Sequence, residues 1–363
     1  MASEIYLKDF ESPLVLDLDA LSSGFISESE PVTEPRLVVA LATQPIGIPI
    51  KLSESLNSSF AAWPELIYNS DNQEYVALWR YGNSGDEDLA IQSFSSTGGL
   101  LGENIQVPEE EDFIRNPDIT YNGFLNQYLV NFVEPFSDDL FGQLLAANGN
   151  PIGNSLLFSD TAAFESSFVF NSNQNEYFQT SRRFPGGNAI FGQRISSDGS
   201  LVSSAIRLDS VGDSAPNGEV AFNSIDDQYL TTWRGQSNFS DFTIEGRIIS
   251  ADGSFTSDQF EISNAVFSSG STPLTSITTV FDPTNTQFLV AYGLREAGDV
   301  RAQLVDADGT KIGNEIVIIN DGFDKQDSDV ISAAFSEELG IYLVTASTNS
   351  GLIGQFVSSS GSL

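Results

Sequence analysis

The chain is a succession of apolar, β-prone runs of about four to seven residues, each closed by polar turn-forming residues. The stretch from Pro117 to Asp160 shows one unit in full. Asp118-Ile119-Thr120-Tyr121 is the first run and Gln127-Tyr128-Leu129-Val130-Asn131-Phe132 the second. Leu140-Phe141-Gly142-Gln143-Leu144-Leu145 is the third and Asn154-Ser155-Leu156-Leu157-Phe158 the fourth. Four such runs with turn chemistry between them predict a four-stranded antiparallel meander, strands A to D.

The same order returns along the chain. Gln92, Gln143, Gln193, Arg247, Gln303 and Gln355 each precede a glycine by six positions, at Gly98, Gly149, Gly199, Gly253, Gly309 and Gly361. The unit therefore recurs about every 50–56 residues, which marks a repeat architecture. The C–D turn reads Asn148-Gly149, Asp198-Gly199, Asp252-Gly253 and Asp308-Gly309, pairs that tolerate the positive φ angles of tight hairpin turns. Strand B carries an aromatic residue at Phe25, Tyr75, Tyr128, Tyr177, Tyr229, Phe288 and Tyr342. Because these lie inside the predicted strands, packing between neighbouring units is preferred over stacking on a ligand.

Units with a complete A–B–C series are expected at 61–107, 117–160, 166–209, 218–263, 275–319 and 329–363, and residues 11–55 parse as a seventh, irregular one. The last unit stops at Gly361-Ser362-Leu363, where strand D should begin. Laid beside Gly309-Thr310-Lys311, it continues without a gap into Met1, and Glu4-Ile5 then matches Glu315-Ile316. Residues 3–8 are thus expected to complete the last blade and remove the open sheet edge. The expected fold is all-β: one domain over 1–363, a seven-bladed β-propeller of four-stranded antiparallel blades, its ring closed by the N-terminal strand.

Composition narrows the chemistry. The 363 residues include no cysteine and no histidine, which excludes disulfides, thiol nucleophiles, zinc–thiolate sites and Ser-His-Asp or Cys-His catalysis. A formal charge of −35 argues against nucleic acid as a partner, since phosphate contacts need a basic footprint. No run has the length of a membrane span, so membrane insertion is not expected, and no secretory signal opens the chain.

The B–C and D–A loops vary from unit to unit and share one face of the expected ring, which makes them the place to look for a site. Arg80, Arg182, Arg183, Arg234 and Arg295 all fall at or just beyond strand B, five of only 15 basic residues, with Trp79 and Trp233 directly before two of them. Arginine beside an aromatic ring suits a carboxylate- or sulfate-bearing sugar. The competing reading pairs these arginines with Asp86, Glu87, Asp88, Asp138, Asp139 and Glu296 of the same loops. Glu109-Glu110-Glu111-Asp112 and the acidic loop at 321–329 could ligate calcium through oxygen, the one cofactor the composition admits. Neither has the ligand pattern of an EF-hand, and a solvated acidic surface is the preferred reading.

The repeat resembles that of bacterial secreted and cell-surface β-propellers. The resemblance rests on Tyr-aliphatic-aliphatic-x-Trp/Phe in strand B, the Asp-Gly hairpin, and the Gly-Gln of strand C in Phe141-Gly142-Gln143, Phe191-Gly192-Gln193 and Ile353-Gly354-Gln355. It implies extracellular or cell-surface binding of a carbohydrate or protein, with no catalytic residues to carry over. WD repeats are excluded by the lack of histidine. Ser196-Ser197-Asp198-Gly199 and Ser250-Ala251-Asp252-Gly253 lack the spacing and tryptophan of sialidase boxes. The expectation is a non-enzymatic binding module acting through the B–C/D–A face. An assembly component is the alternative, and a carboxylate-based glycoside hydrolase or lyase is a third reading, for which the 50 acidic residues offer no distinguishable pair.

Overall fold

The computed structural model of the protein describes residues 60–363, apart from segments 84–85, 96, 109–113, 135–136, 161–162, 184–188, 211–217, 239–240, 264–266, 269–273, 295–297, 321–330 and 349–350. The blade expected at 11–55 and the closing strand expected at 3–8 lie outside the described residues. Within them the chain forms six antiparallel sheets, blades I to VI, at 60–107, 115–159, 163–207, 219–268, 274–319 and 331–358. Each is a meander in chain order. Blade IV adds a short strand, Phe267–Ser268, beside strand C, and blade VI holds three strands, A to C.

The A strands of successive blades run side by side: Phe60–Asn69, Arg115–Asn122, Ala163–Asn171, Glu219–Asn223, Leu274–Asp282 and Ile331–Ser336. With A innermost and D outermost, the protein is an all-β propeller of four-stranded antiparallel blades. Six blades are described where seven were expected.

Local chemistry explains both repeated turns. Strand A ends on Asn69, Asn122, Asn171, Asn223, Asp282 or Ser336. The side-chain oxygens of Asn69, Asn171 and Asp282 accept the N–H groups two and three residues on, from Asp71 and Asn72, Asn173 and Gln174, Thr284 and Asn285. This bends the chain into a left-handed residue at the same place each time: Gln73, Asn126, Asn175, Asp227, Thr286 and Gly340.

The C–D turn differs from expectation in one respect. Only its glycine is left-handed, with φ of 83° at Gly149, 86° at Gly199, 90° at Gly253 and 91° at Gly309. The loop is Ser197-Asp198-Gly199 in blade III, closed by the Ser196 N–H donating to the Ser200 carbonyl and the Gly199 N–H donating to the Ser196 carbonyl. The Asp198 carboxylate accepts the Ser200 N–H at 2.9 Å. Asp and Asn serve here as caps, not as positive-φ residues, and the hairpin is the three-residue type with a glycine bulge.

The Gln of each unit has a defined task. Where the C–D register shifts between Ile91/Ser93, Gly142/Leu144 and Ala302/Leu304, strand D carbonyls lose their ladder partners. The amide Nε2 of Gln92, Gln143 and Gln303 donates to them, at Leu101 (3.0 Å), Ile152 (3.2 Å) and Ile312 (2.9 Å).

The apolar core lies between blades rather than within them. Separate clusters join blades I and II, II and III, III and IV, IV and V, and V and VI. The strand B aromatics Tyr128, Tyr177, Tyr229, Phe288 and Tyr342 are at most 1% exposed and sit in these clusters. Their hydroxyls reach the preceding blade: Asn69 Nδ2 donates to Tyr128 at 2.6 Å, Asn171 Nδ2 to Tyr229 at 2.7 Å, and Tyr342 donates to Asp282 at 3.3 Å. Phe288 has no hydroxyl, and there Asn223 Nδ2 turns back to Asp226 within its own loop.

A Cβ at Gly199 would strain the left-handed backbone and collide with Leu156 of blade II. Gly199→Ala is expected to lower the unfolding free energy by about 2 kcal/mol or more, read from the denaturant midpoint.

Candidate functional site

The innermost strands carry the most distinctive chemistry. Four residues before the end of each A strand stand Glu65, Asp118, Ser167, Glu219, Thr278 and Ser332, polar in all six described blades. The wall facing the axis is therefore built of hydrogen-bonding groups. Asp118 accepts the N–H of Ile119 at 2.7 Å and, across to blade III, that of Phe168 at 3.2 Å. The Ser167 hydroxyl in turn donates to Glu219 of blade IV at 3.2 Å.

These carboxyls hold their protons unusually tightly. Burial pushes Glu219 up to about 8; the charge of Asp118 adds to this, the Ser167 hydrogen bond opposes it and Glu65 adds a little more. Burial and then Asp118 push Glu65 up to about 8 as well. Glu65 is nevertheless open to solvent while protein crowds its sides, the position of a group on a channel wall, so water offsets more of its desolvation than at half-buried Glu219. Asp118 rises only to about 6, because the two backbone N–H groups favour its charge against burial. At neutral pH the wall thus presents a protonated Glu219 beside an ionised Asp118, with the proton affinity of Glu65 raised in the same direction. Sequence reasoning found no distinguishable acid pair; the available signal was the fixed offset from the A–B turn.

The loop-face residues are dispersed. Arg80 Nη1 donates to Glu87 Oε2 at 2.6 Å and to the Ile114 carbonyl at 3.0 Å, the loop pairing weighed as the competing reading. Trp79 is buried among Ala77, Tyr81 and Ala90. Trp233 is 0% exposed and its Nε1 donates to Glu245 at 3.2 Å, so its ring packs in the III–IV cluster. Arg234 is half-buried and lies over the Phe242 ring at 5.0 Å. Arg182 is half-buried, whereas Arg183 is 8% exposed, its Nε on Ser181 Oγ at 3.1 Å and its guanidinium 5.5 Å from the centre of the Phe191 ring. Adjacent strand residues point to opposite faces, so Arg182 and Arg183 serve different blade interfaces. Burial lowers the Arg183 pKa, against the opposing charge of Asp160. Arg295 and both calcium candidates, Glu109–Asp112 and 321–329, lie outside the described residues. Among the described residues no group of three or more Asp or Glu is arranged to hold a metal ion.

On the opposite face, grooves recur at equivalent places between blades. One of about 320 Å³ lies between blades II and III beside Leu125, Ile152 and Asp198, and one of about 270 Å³ between IV and V beside Asp226, Thr256 and Asp308.

No protein-family model matches the chain, and no curated protein matches its sequence. Similarity appears at the level of structure. AofleA from Arthrobotrys oligospora superposes with a TM-score of 0.53 at 11% identity, over 82% of each chain. A mutant of AofleA with three arginines replaced by alanine gives 0.51 at 9% identity, over 80% of each chain. These likenesses support the propeller architecture and speak to fold alone.

Raised carboxyl pKa values have a measurable consequence. The unfolded chain releases the Glu219 proton near pH 4.5, whereas the folded protein keeps it until about pH 8. Its contribution is therefore intact at low pH and lost as pH rises through that window. Glu219→Gln is expected to flatten part of the fall in stability between pH 5 and 8, checked by urea denaturation of both proteins across that range.

Proposed function

We propose that this protein is a non-enzymatic binding module, presented outside the cell, for a carbohydrate ligand held at the B–C/D–A face and the inner wall beneath it. The observation that carries this reading is the polar position shared by all six A strands, from Glu65 to Ser332. Serine and threonine hydroxyls, with a Glu219 carboxyl that keeps its proton at neutral pH, both donate and accept, which matches the hydroxyls of a sugar. Arg182 and Arg183 at the end of strand B of blade III, with Arg234 in the second half of strand B of blade IV, add further donors to this reading and extend it to sugars bearing a carboxylate or sulfate. A glycan array probed with the wild type and with the Arg182→Gln/Arg183→Gln/Arg234→Gln triple variant tests it. Retention of a defined set of glycans by the wild type and its loss in the variant is the expected outcome; identical retention removes the arginines from the site.

A second reading, a two-carboxylate glycoside hydrolase, draws on the separation between Asp118 at about 6 and Glu219 at about 8. Environments that hold one carboxyl charged and another neutral are what acid–base cleavage uses. Reducing-end release from any glycan retained on the array, abolished by Glu219→Gln, would favour it over simple binding.

The reading includes a ring of seven blades, with residues 11–55 as the seventh and residues 3–8 as strand D of blade VI. Several observations support it. Apolar clusters join every successive pair from I to VI, but among the described residues none joins VI back to I. Gln355 Nε2 donates to its own-strand carbonyl at Phe356, and among the described residues no strand D carbonyl meets it. A Cβ at Gly142 would collide with Phe158 of strand D, whereas at Gly354 the nearest atom would stand 3.3 Å away.

The register agrees. Seven and nine positions after each turn glycine come Ile105/Val107, Leu156/Phe158, Ile206/Leu208, Phe260/Ile262 and Ile316/Ile318. Counting on from Gly361 through Met1 reaches Ile5 and Leu7. In the same register Tyr6 faces Ile353 as Val317 faces Arg301. With no native cysteine to interfere, Tyr6→Cys with Ile353→Cys is expected to form an intramolecular disulfide, seen as a reducible mobility shift. Two free thiols under oxidising conditions would defeat the closure.

A further inference from the structure

We propose that the seam between blades II and III is a buried site for a single neutral pyranose unit, with Gln179, Asn131 and Arg183 as its hydrogen-bonding groups. The proposal rests on the carbohydrate reading above and assigns it a place and a ligand class.

Strand alternation decides which residues face the seam. Tyr177, Gln179, Ser181 and Arg183 share the face of blade III turned to blade II, since Tyr177 packs with Leu129 and Leu144. From the other side Leu129, Asn131 and Val133 face blade III, and Asn131 Nδ2 crosses the seam to donate to Ser166 Oγ at 2.9 Å. Ser166 pairs with Ser181 and Phe168 with Gln179, so these groups lie at adjoining levels. Asp118, the strand partner of Asn131, borders the seam from the axis side and bonds Phe168. Arg183 ends strand B, where the seam reaches the B–C side.

Among the described residues four buried polar atoms here have no partner: Gln179 Nε2, Gln179 Oε1, Asn131 Oδ1 and Arg183 Nη2. Gln179 and Asn131 are both 0% exposed. Folded proteins pair the great majority of such atoms, because each orphan gives up its bonds to water and gains none in return. A wholly unpartnered buried glutamine therefore calls for an occupant.

The other blades show that this polarity is a departure from the repeat. Where Gln179 stands, blades I, II, IV, V and VI carry Ala77, Val130, Thr231, Val290 and Val344. Where Ser181 stands they carry Trp79, Phe132, Trp233, Tyr292 and Ala346. In four of the other five blades a ring stands where blade III has Ser181, whose cross-strand neighbour is Phe191. A pyranose has the breadth of such a ring, and its vicinal hydroxyls each donate and accept. Two orphan donors and two orphan acceptors match them. The net charge of −35, and the ionised Asp118 at the inner edge of the seam, favour a neutral sugar over an anionic one.

Isothermal titration of the full chain with methyl α-glucoside, methyl α-galactoside, methyl α-mannoside and glucuronate tests the assignment. Gln179→Val removes both orphan amide atoms and copies the residue of blades II, V and VI, so the fold is retained. The expected result is that one of the neutral hexosides binds the wild type and that Gln179→Val weakens it about tenfold or more, with an unchanged or higher melting temperature. Unchanged affinity in Gln179→Val overturns the seam site and leaves it a hydrated packing defect, while the carbohydrate reading survives on the loop face. Binding of glucuronate alone, lost in Arg182→Gln/Arg234→Gln but not in Gln179→Val, has the same meaning. If none of the four sugars binds and the glycan array is also blank, both readings fall together.

Discussion

Packing between blades is the constraint on which the rest of this structure depends. Five apolar clusters are each shared by two neighbouring blades, and a sixth, around Trp79, lies on blade I among the described residues, so a blade alone would expose its apolar faces. The strand B tyrosine is the clearest instance, because one side chain does two jobs across that boundary. Its ring fills the apolar seam, and its hydroxyl bonds the residue that caps the previous A–B turn, as Tyr128 does with Asn69 and Tyr229 with Asn171. Turn geometry in one blade is thereby tied to core packing in the next.

The same arrangement creates the chemistry of the inner wall. Placing every A strand against the axis puts the residue four before its end near the carboxyls of neighbouring blades. Asp118 and Glu219 are each held by the following or preceding blade, through Phe168 and Ser167. Their proton affinities are properties of the ring, since a single blade would leave these groups solvated at ordinary values. Departures from the repeat then decide where the wall and the seams become specific. Ser181 in place of a ring is in blade III, between the two best-held carboxyls.

Much of the fold was legible in the one-dimensional pattern. Strand number, meander order and both turns follow from local chemistry: short apolar runs, an Asn or Asp cap, a glycine after Asp. The role of the Gln six residues before that glycine was not legible, because it answers a register shift that appears only when strands C and D pair. Nor was the fate of the tryptophans. Trp79 and Trp233 lie beside arginines in the sequence, which suggested a stacking platform, yet alternation along the strand sends ring and guanidinium to opposite faces.

What the sequence determined by itself is the repeat, its all-β character and the absence of histidine and cysteine chemistry, since each depends on residue type and spacing alone. Tertiary structure decided which acids matter and which polar groups are left without partners. Fifty acidic residues look alike along the chain. Glu65, Asp118 and Glu219 stand apart only because folding brings three separate blades together in a confined space, where desolvation and mutual repulsion act over distances that sequence spacing does not encode.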